Sequence, residues 1–239
     1  MQDLPPGLDL LWGERDRPRR ERRGGLTVER IVGAAVELAD ADGLEGVSMA
    51  RVAKQLGFTP MALYRHVSGK DELLILMQNA AVGPPPPLDE SVVGWRAGLE
   101  RWSTDLLAVM NAHPWWLDIP ISPPAPTPNQ MLWLERGLQA LSDTRLPEGD
   151  KAAIVLMLNG VVNWEARLTS ELSRGGEAPD DALRVYVRVA YSLVGDERFP
   201  ALGRAVEAGI FEDDSREFDF TFTLERVLDG VERLIERTR

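Results

Sequence analysis

At 239 residues the chain can bury a sizeable core and accommodates a small domain beside a larger one. It has no cysteine, which excludes disulfides and thiolate metal sites, and its formal net charge of -11 argues against a uniformly basic nucleic-acid binder. No apolar run reaches the roughly 18 residues of a membrane span, and the first residues lack the apolar stretch of a secretion signal. The expectation is a soluble, cytoplasmic protein with no membrane partner.

Residues 1–25 combine proline, glycine and charge without an apolar stripe and read as a flexible arm. Between Arg15 and Arg23, six arginines face only Asp16 and Glu21, a local +4. Such a segment either reaches into a minor groove or is a solvated leader, and its charge alone leaves both open. Over residues 1–80, 11 Lys and Arg stand against 12 Asp and Glu, and over residues 81–239, 16 stand against 26. The acidity therefore belongs to the second part of the chain, where it discourages unspecific adhesion to DNA.

From Thr27 the pattern turns helical. Ile31, Ala34, Ala35, Leu38 and Ala39 share one face of a helix that closes at Asp42-Gly43. Ser48 can cap a second helix, with Val47 and Val52 at the spacing of a hydrophobic staple, and Gly57 ends it where a left-handed residue is cheapest. Thr59 then caps a third helix with Pro60 in its first turn. Leu63 and Val67, four apart, extend the apolar set Val52, Leu56 and Phe58 and face a small core. The opposite face, with Met61, Ala62, Arg65 and His66, is left for DNA. Tyr64, Arg65, His66 and Lys70 can donate to phosphates, and Ser48 joins them as a candidate contact. Ser68-Gly-Lys-Asp71 resembles a capping box for the next helix.

Leu63-Tyr64-Arg65-His66-Val67 followed by Lys70-Asp71-Glu72-Leu73-Leu74 resembles the signature of the TetR family of transcriptional repressors, and the likeness runs without a gap from about Thr27 to about Leu76. Phe199-Pro-Ala-Leu202 and Phe218-Asp-Phe-Thr-Phe-Thr-Leu-Glu-Arg226 resemble members with the tetracycline-repressor type of effector domain. The resemblance implies that Thr59, Pro60, Met61 and Ala62 lie against bases while Tyr64, Arg65, His66 and Lys70 hold the backbone. It also implies a four-helix dimer interface built from the long helix near Glu148 and the last helix.

A fourth helix is expected near Lys70 to Val82, stopped by Pro84 to Pro87. The next, near Asp89 to Ala112, carries Trp95, Leu99, Trp102 and Leu106 at helical spacing and ends at His113-Pro114. Five prolines between residues 117 and 128 read as an irregular loop before a helix near Asn129 to Ser142. Pro147-Glu148 starts a long helix whose centre, Ile154 to Trp164, is apolar nearly all round and should be buried on several sides; Gly175-Gly176 ends it. Further helices are expected from Asp180 to about Val194, near Phe199 to Ala208, and from Glu217 to Glu236. No alternating strand pattern or internal repeat appears, so the fold class is all-α: an arm (1–25), a three-helix helix-turn-helix domain (26–72) and a larger helical effector-binding and dimerisation domain (73–239).

The function these features support is a ligand-responsive DNA-binding regulator, a homodimeric repressor of a pseudo-palindromic operator released by a small apolar effector. An activator or ligand-independent binder of the same fold stays open, as does an acidic interaction scaffold, although the scaffold leaves Thr59 to His66 unexplained. Six of the seven tryptophans lie in the second domain. Trp102, Leu106, Trp115, Trp116, Trp133, Asn159, Asn163 and Trp164 are the candidate effector contacts, since aromatic walls with few polar groups make small-molecule sites. An amide such as Asn159 or Asn163 inside an apolar helix needs a partner: ligand, water or a second subunit. Leu224, Val227, Leu228, Val231, Leu234 and Ile235 form the candidate dimer stripe, which could equally serve the protomer's own core.

Tetracycline repressors take a metal complex held partly by histidine, whereas the second domain here has only His113, so no metal-bound effector is expected. Nothing points to a metal or other cofactor. Two distant histidines, no cysteine, no phosphate-cradling glycine loop and no Gly-x-Ser-x-Gly turn also leave an enzyme without machinery.

Overall fold

The computed structural model describes residues 7–13, 25–87, 92–119, 126–174, 189, 199–207 and 220–238, and all regular structure among them is helical. Helices α1 (Leu8–Leu11), α2 (Val28–Asp42), α3 (Met49–Leu56), α4 (Pro60–Leu63) and α5 (Lys70–Val82) surround one apolar cluster. Helices α6 (Gly94–Ala112), α7 (Pro128–Ala140), α8 (Glu148–Arg174) and α10 (Phe220–Arg237) surround a second, and α9 spans Pro200–Glu207.

Local chemistry sets the ends of the small-domain helices. The Thr27 hydroxyl accepts from the Arg30 amide at 3.3 Å, satisfying an orphan donor of α2, and Gly43 ends that helix at φ 71. The hydroxyl of Ser48 does the same for Arg51 at 3.2 Å. At the amino end of α5 the sequence-based expectation is corrected. Gly69 is the capping residue, and it is Glu72 rather than Asp71 that reaches back to accept from the Ser68 amide, at 2.6 Å, and from its hydroxyl. Leu73, Leu76 and Met77 of α5 are buried in the small domain's cluster, so this helix carries that domain past residue 72.

A second correction concerns the arm. Residues 7–13 are ordered against α5: Leu8 is 1% exposed, Leu10 is buried in the small-domain cluster, and the Trp12 indole N–H donates to the Pro126 carbonyl at 2.9 Å. Three leucines and one aspartate over Leu8–Leu11 are too short a run to carry a periodicity in the sequence. The arginine-rich stretch between them lies outside the described residues.

In the large domain α6 packs on α7 and α8, and α10 packs on α8. Close approach is built in at Gly137, where an added Cβ would fall 2.8 Å from Val155 Cγ1. Arg96 of α6 binds Asp229 of α10 at 2.8 Å; that hydrogen bond raises the guanidinium pKa further and holds the Asp229 carboxyl below its ordinary value. Helix α6 begins at Gly94, later than expected, and Pro114–Asp118 after its end form a 3-10 turn that takes in the first two residues of the expected 117–128 loop, of which residues 120–125 lie outside the described residues. The expected Gly175-Gly176 helix end lies outside the described residues, as does all of the Asp180 to Val194 helix except Val189, which is helical and exposed.

Candidate DNA-reading face and effector cavity

The turn between α3 and α4 depends on Gly57, whose φ of 76 and ψ of 27 are left-handed, and whose neighbour Phe58 donates to the Ala53 carbonyl at 2.9 Å. Leu63, Val67 and Val52 are fully buried, as the i,i+4 spacing requires, and this fixes what the other side of α4 presents. Met61 is 69% exposed, and Thr59, Pro60, Tyr64, Arg65 and Lys70 are exposed with it, while Ala62, His66 and Ser48 are half-buried. Large exposed apolar side chains such as Met61 and Tyr64 are costly in water unless a partner covers them. The Thr59 hydroxyl makes no capping bond, contrary to the sequence-based expectation, and Pro60 at the first position has no amide hydrogen to satisfy. Its hydroxyl is thereby left available on the same face. The regular helix ends at Leu63, and Tyr64 to His66 continue as a tight turn held by bonds such as His66 N–H to Leu63 O at 2.8 Å.

The large domain encloses a cavity of about 400 Å³ between α6, α7, α8 and the end of α5, within the range of small-molecule sites. Of the expected contacts, Trp102, Leu106, Trp116, Trp133, Asn159 and Asn163 line it. Two do not. Trp164, on α8, is 66% exposed on the outside of the protomer. Trp115 is 2% exposed but packs into the small domain's cluster, whereas its neighbours Trp116 and Leu117 on the same 3-10 turn pack with the large domain. Helical or turn spacing places a tryptophan on a face without revealing which neighbour that face meets.

The wall's polar groups are largely used within the protein. Trp102 donates its indole N–H to the Trp133 carbonyl at 2.8 Å, and Trp133 donates to the Gly83 carbonyl at 3.0 Å, with the rings edge to face at 6.3 Å. Gln130 accepts from the Thr127 amide and hydroxyl in the capping box of α7. Asn163 donates to the Asn159 carbonyl at 2.8 Å, so part of its demand is met inside its own helix rather than by an outside partner. Gln130, Met131, Pro126 and Val155 were not anticipated; nothing in their local pattern distinguishes a wall residue from a core one. No ionisable side chain among the described residues lines the cavity. Among the described residues no group of three or more potential metal ligands occurs, and no helix is long and apolar enough to cross a membrane.

The dimer stripe is also corrected. Leu224, Leu228, Val231 and Ile235 are buried in the protomer's own core, against α6 and α8, and Val227 is half-buried beside them; Leu234 alone of the six is exposed. An apolar stripe seeks the nearest apolar surface, and here the protomer supplies it. The exposed apolar surface lies instead on α8, at Leu156, Met157 and Trp164 around the open Gly160.

Residues 31–77 match the profile described as bacterial regulatory proteins of the tetR family, and residues 87–235 match that of the tetracyclin repressor-like C-terminal domain. The HTH-type transcriptional repressor DrrR1 of Streptomyces coeruleorubidus is 37% identical, over 99% of this chain and 88% of that protein. Among solved structures, the TetR family protein ActR of Streptomyces coelicolor in complex with actinorhodin is 26% identical with a TM-score of 0.71, covering 86% of this chain and 94% of that one. The regulator SCO7222 of the same organism, 23% identical with a TM-score of 0.70 over 87% of this chain and 99% of that one, shares the fold. Likeness of this extent, to a repressor along nearly the whole sequence and to a family profile over each domain, leads to one conclusion: the chain belongs to the TetR family of DNA-binding transcriptional regulators.

Proposed function

We propose that the protein is a homodimeric repressor that occupies a pseudo-palindromic operator and leaves it when an uncharged, largely aromatic compound fills the cavity. The observation that carries this reading is the pairing, in one chain, of an exposed recognition turn at Thr59 to His66 with a tryptophan-walled cavity whose described lining residues include no ionisable side chain. A charge brought into such walls would lose its hydration and find no counter-charge, so a neutral ligand is favoured. Flat rings suit the faces of Trp102, Trp116 and Trp133, and the amides of Gln130, Asn159 and Asn163 provide the polar contacts that orient a ligand. ActR, which shares the fold, has been solved in complex with actinorhodin. A helix-turn-helix reads few base pairs, so two copies are needed, with their recognition helices about 34–36 Å apart.

The reading is tested by selecting duplexes from a randomised pool with the full-length protein and then titrating anthraquinone, a flat aromatic compound without an ionisable group, as the probe. A palindromic consensus whose binding falls steeply with salt and is released by the probe supports it. Failure to enrich any duplex defeats the repressor reading, and tight duplex binding untouched by a probe shown to occupy the cavity defeats the ligand response.

A further inference from the structure

The two domains meet at Asp40, in the last turn of α2. Its Oδ1 accepts the Trp115 indole N–H at 2.6 Å, and His113 Nδ1 lies 2.7 Å from the same oxygen. The two rings pack edge to face at 5.9 Å, and Trp115 and Trp116 are 6.4 Å apart. The segment is thus divided residue by residue. Trp115 is buried in the small domain's cluster, Trp116 lines the cavity, and Leu117 is buried in the large domain's cluster, with its carbonyl accepting from the Arg167 guanidinium of α8.

We propose that Asp40 is a positioning residue for the ligand response, coupling occupancy of the cavity to the DNA-reading helices through His113, Trp115 and Trp116. For the identity of the stimulus this rests on the functional reading above; the contact itself does not. A ring entering the cavity presses on Trp116, one peptide away from Trp115. Trp115 cannot yield on its own, since its indole is packed in the small core and its N–H is bonded to the Asp40 carboxylate. Displacement of the 3-10 turn therefore either carries α2 with it or breaks the bonds to Asp40. Both outcomes change the seat of α3 and α4, because α2 packs against α3 and α3 against α4. A competing path exists: Val82, at the end of α5, also lines the cavity, and α5 packs on α2.

A double-mutant cycle separates the paths without requiring the natural ligand or an operator. Leu134→Trp fills the cavity from the α7 wall, far in sequence from the latch. Trp115→Phe keeps an aromatic ring in place but removes the N–H. Amide hydrogen exchange of α2 is measured in the wild type, each variant and the double variant. Filling should speed exchange in the last turn of α2 by about fivefold or more in the wild-type background and by under about twofold in the Trp115→Phe background. Equal effects in both backgrounds assign the coupling to α5 and overturn the proposal, as does an unchanged α2 in Leu134→Trp. Should that variant fail to fold, Leu134→Phe makes a milder filling. Asp40→Asn, which retains an acceptor oxygen, should preserve more of the coupling than Asp40→Ala; equal coupling in the two also counts against the proposal. Because DNA binding is not read, a failed latch and a failed repressor reading remain distinguishable.

Discussion

Met61 and Lys70 illustrate how differently two exposed side chains of one reading face should behave. Met61 has no charge and no hydrogen-bond donor, so what it contributes at a duplex is shape and apolar contact with a base edge such as a thymine methyl. Lys70, at the first position of α5, carries a full charge beside a helix amino end, both of which attract phosphate. Met61→Ala is therefore expected to alter which sequences a randomised pool yields, at a cost of about 1–3 kcal/mol against the preferred base. Lys70→Ala should weaken all duplexes alike and reduce the slope of log affinity against log salt by about one unit. Fluorescence anisotropy at several salt concentrations, on preferred and scrambled duplexes, checks both; a uniform loss from Met61→Ala would remove it from the base-reading set. The exposure of that face was legible in the sequence because burial of Leu63 and Val67 at i,i+4 spacing determines the outward side of so short a helix. Trp115 and Trp164 were not: the one faces a domain 70 residues away in sequence, the other faces outward from a helix whose neighbours were unknown.

Among the elements, those whose ends carry their own chemistry were the readable ones. Caps at Thr27 and Ser48, left-handed glycines at Gly43 and Gly57 and the run of prolines after α5 are local signals, and α2, α3 and α5 fall where these place them. Helix α1 has no such signal. Its single turn closes through local bonds to the Gly7 and Leu8 carbonyls and the Asp9 carboxylate, and it is seated by tertiary contact, with Leu8 and Leu10 buried and Gly7 so near α5 that a Cβ would sit 3.3 Å from Ile75. An isolated helix of that length is unstable in water, so its order must come from the apolar groove it fills. Leu8→Ala should then cost about 2–5 kcal/mol in urea unfolding if α1 belongs to the cooperative fold. If residues 7–13 are instead frayed, the variant will melt within about 0.5 kcal/mol of the parent, as surface changes do. Since Trp12 bonds to Pro126 on the cavity wall, the loss of α1 would also free one of that wall's supports.

On the scale of the whole molecule, the net charge of -11 is a property of the second domain and leaves the reading face undisturbed. What the sequence could not divide was apolar surface owed to the protomer from apolar surface owed to a second copy. Helix α10 presented the more regular stripe, yet that stripe is consumed by α6 and α8. Helix α8 is apolar nearly all round, and one protomer covers only part of it: Ala153, Met157, Gly160 and Trp164, spaced four, three and four, form an exposed seam like that of packed helix pairs. The exposed Leu234 and Phe222 of α10 add to the apolar surface available to a second copy. Trp164→Glu and Leu228→Ala should therefore fail in opposite ways. The first replaces an exposed ring, so folding of the isolated protomer should change by less than about 0.5 kcal/mol, whereas a charge in place of the seam's largest side chain should weaken self-association by about 2 kcal/mol or more. Sedimentation should show Trp164→Glu shifted toward monomer, with operator affinity reduced in parallel, since two half-sites are then no longer held by one body. Leu228→Ala, fully buried, should lose about 2–5 kcal/mol of unfolding free energy and remain dimeric for as long as it stays folded. A Trp164→Glu protein that sediments as the parent does would move the second copy to some other face.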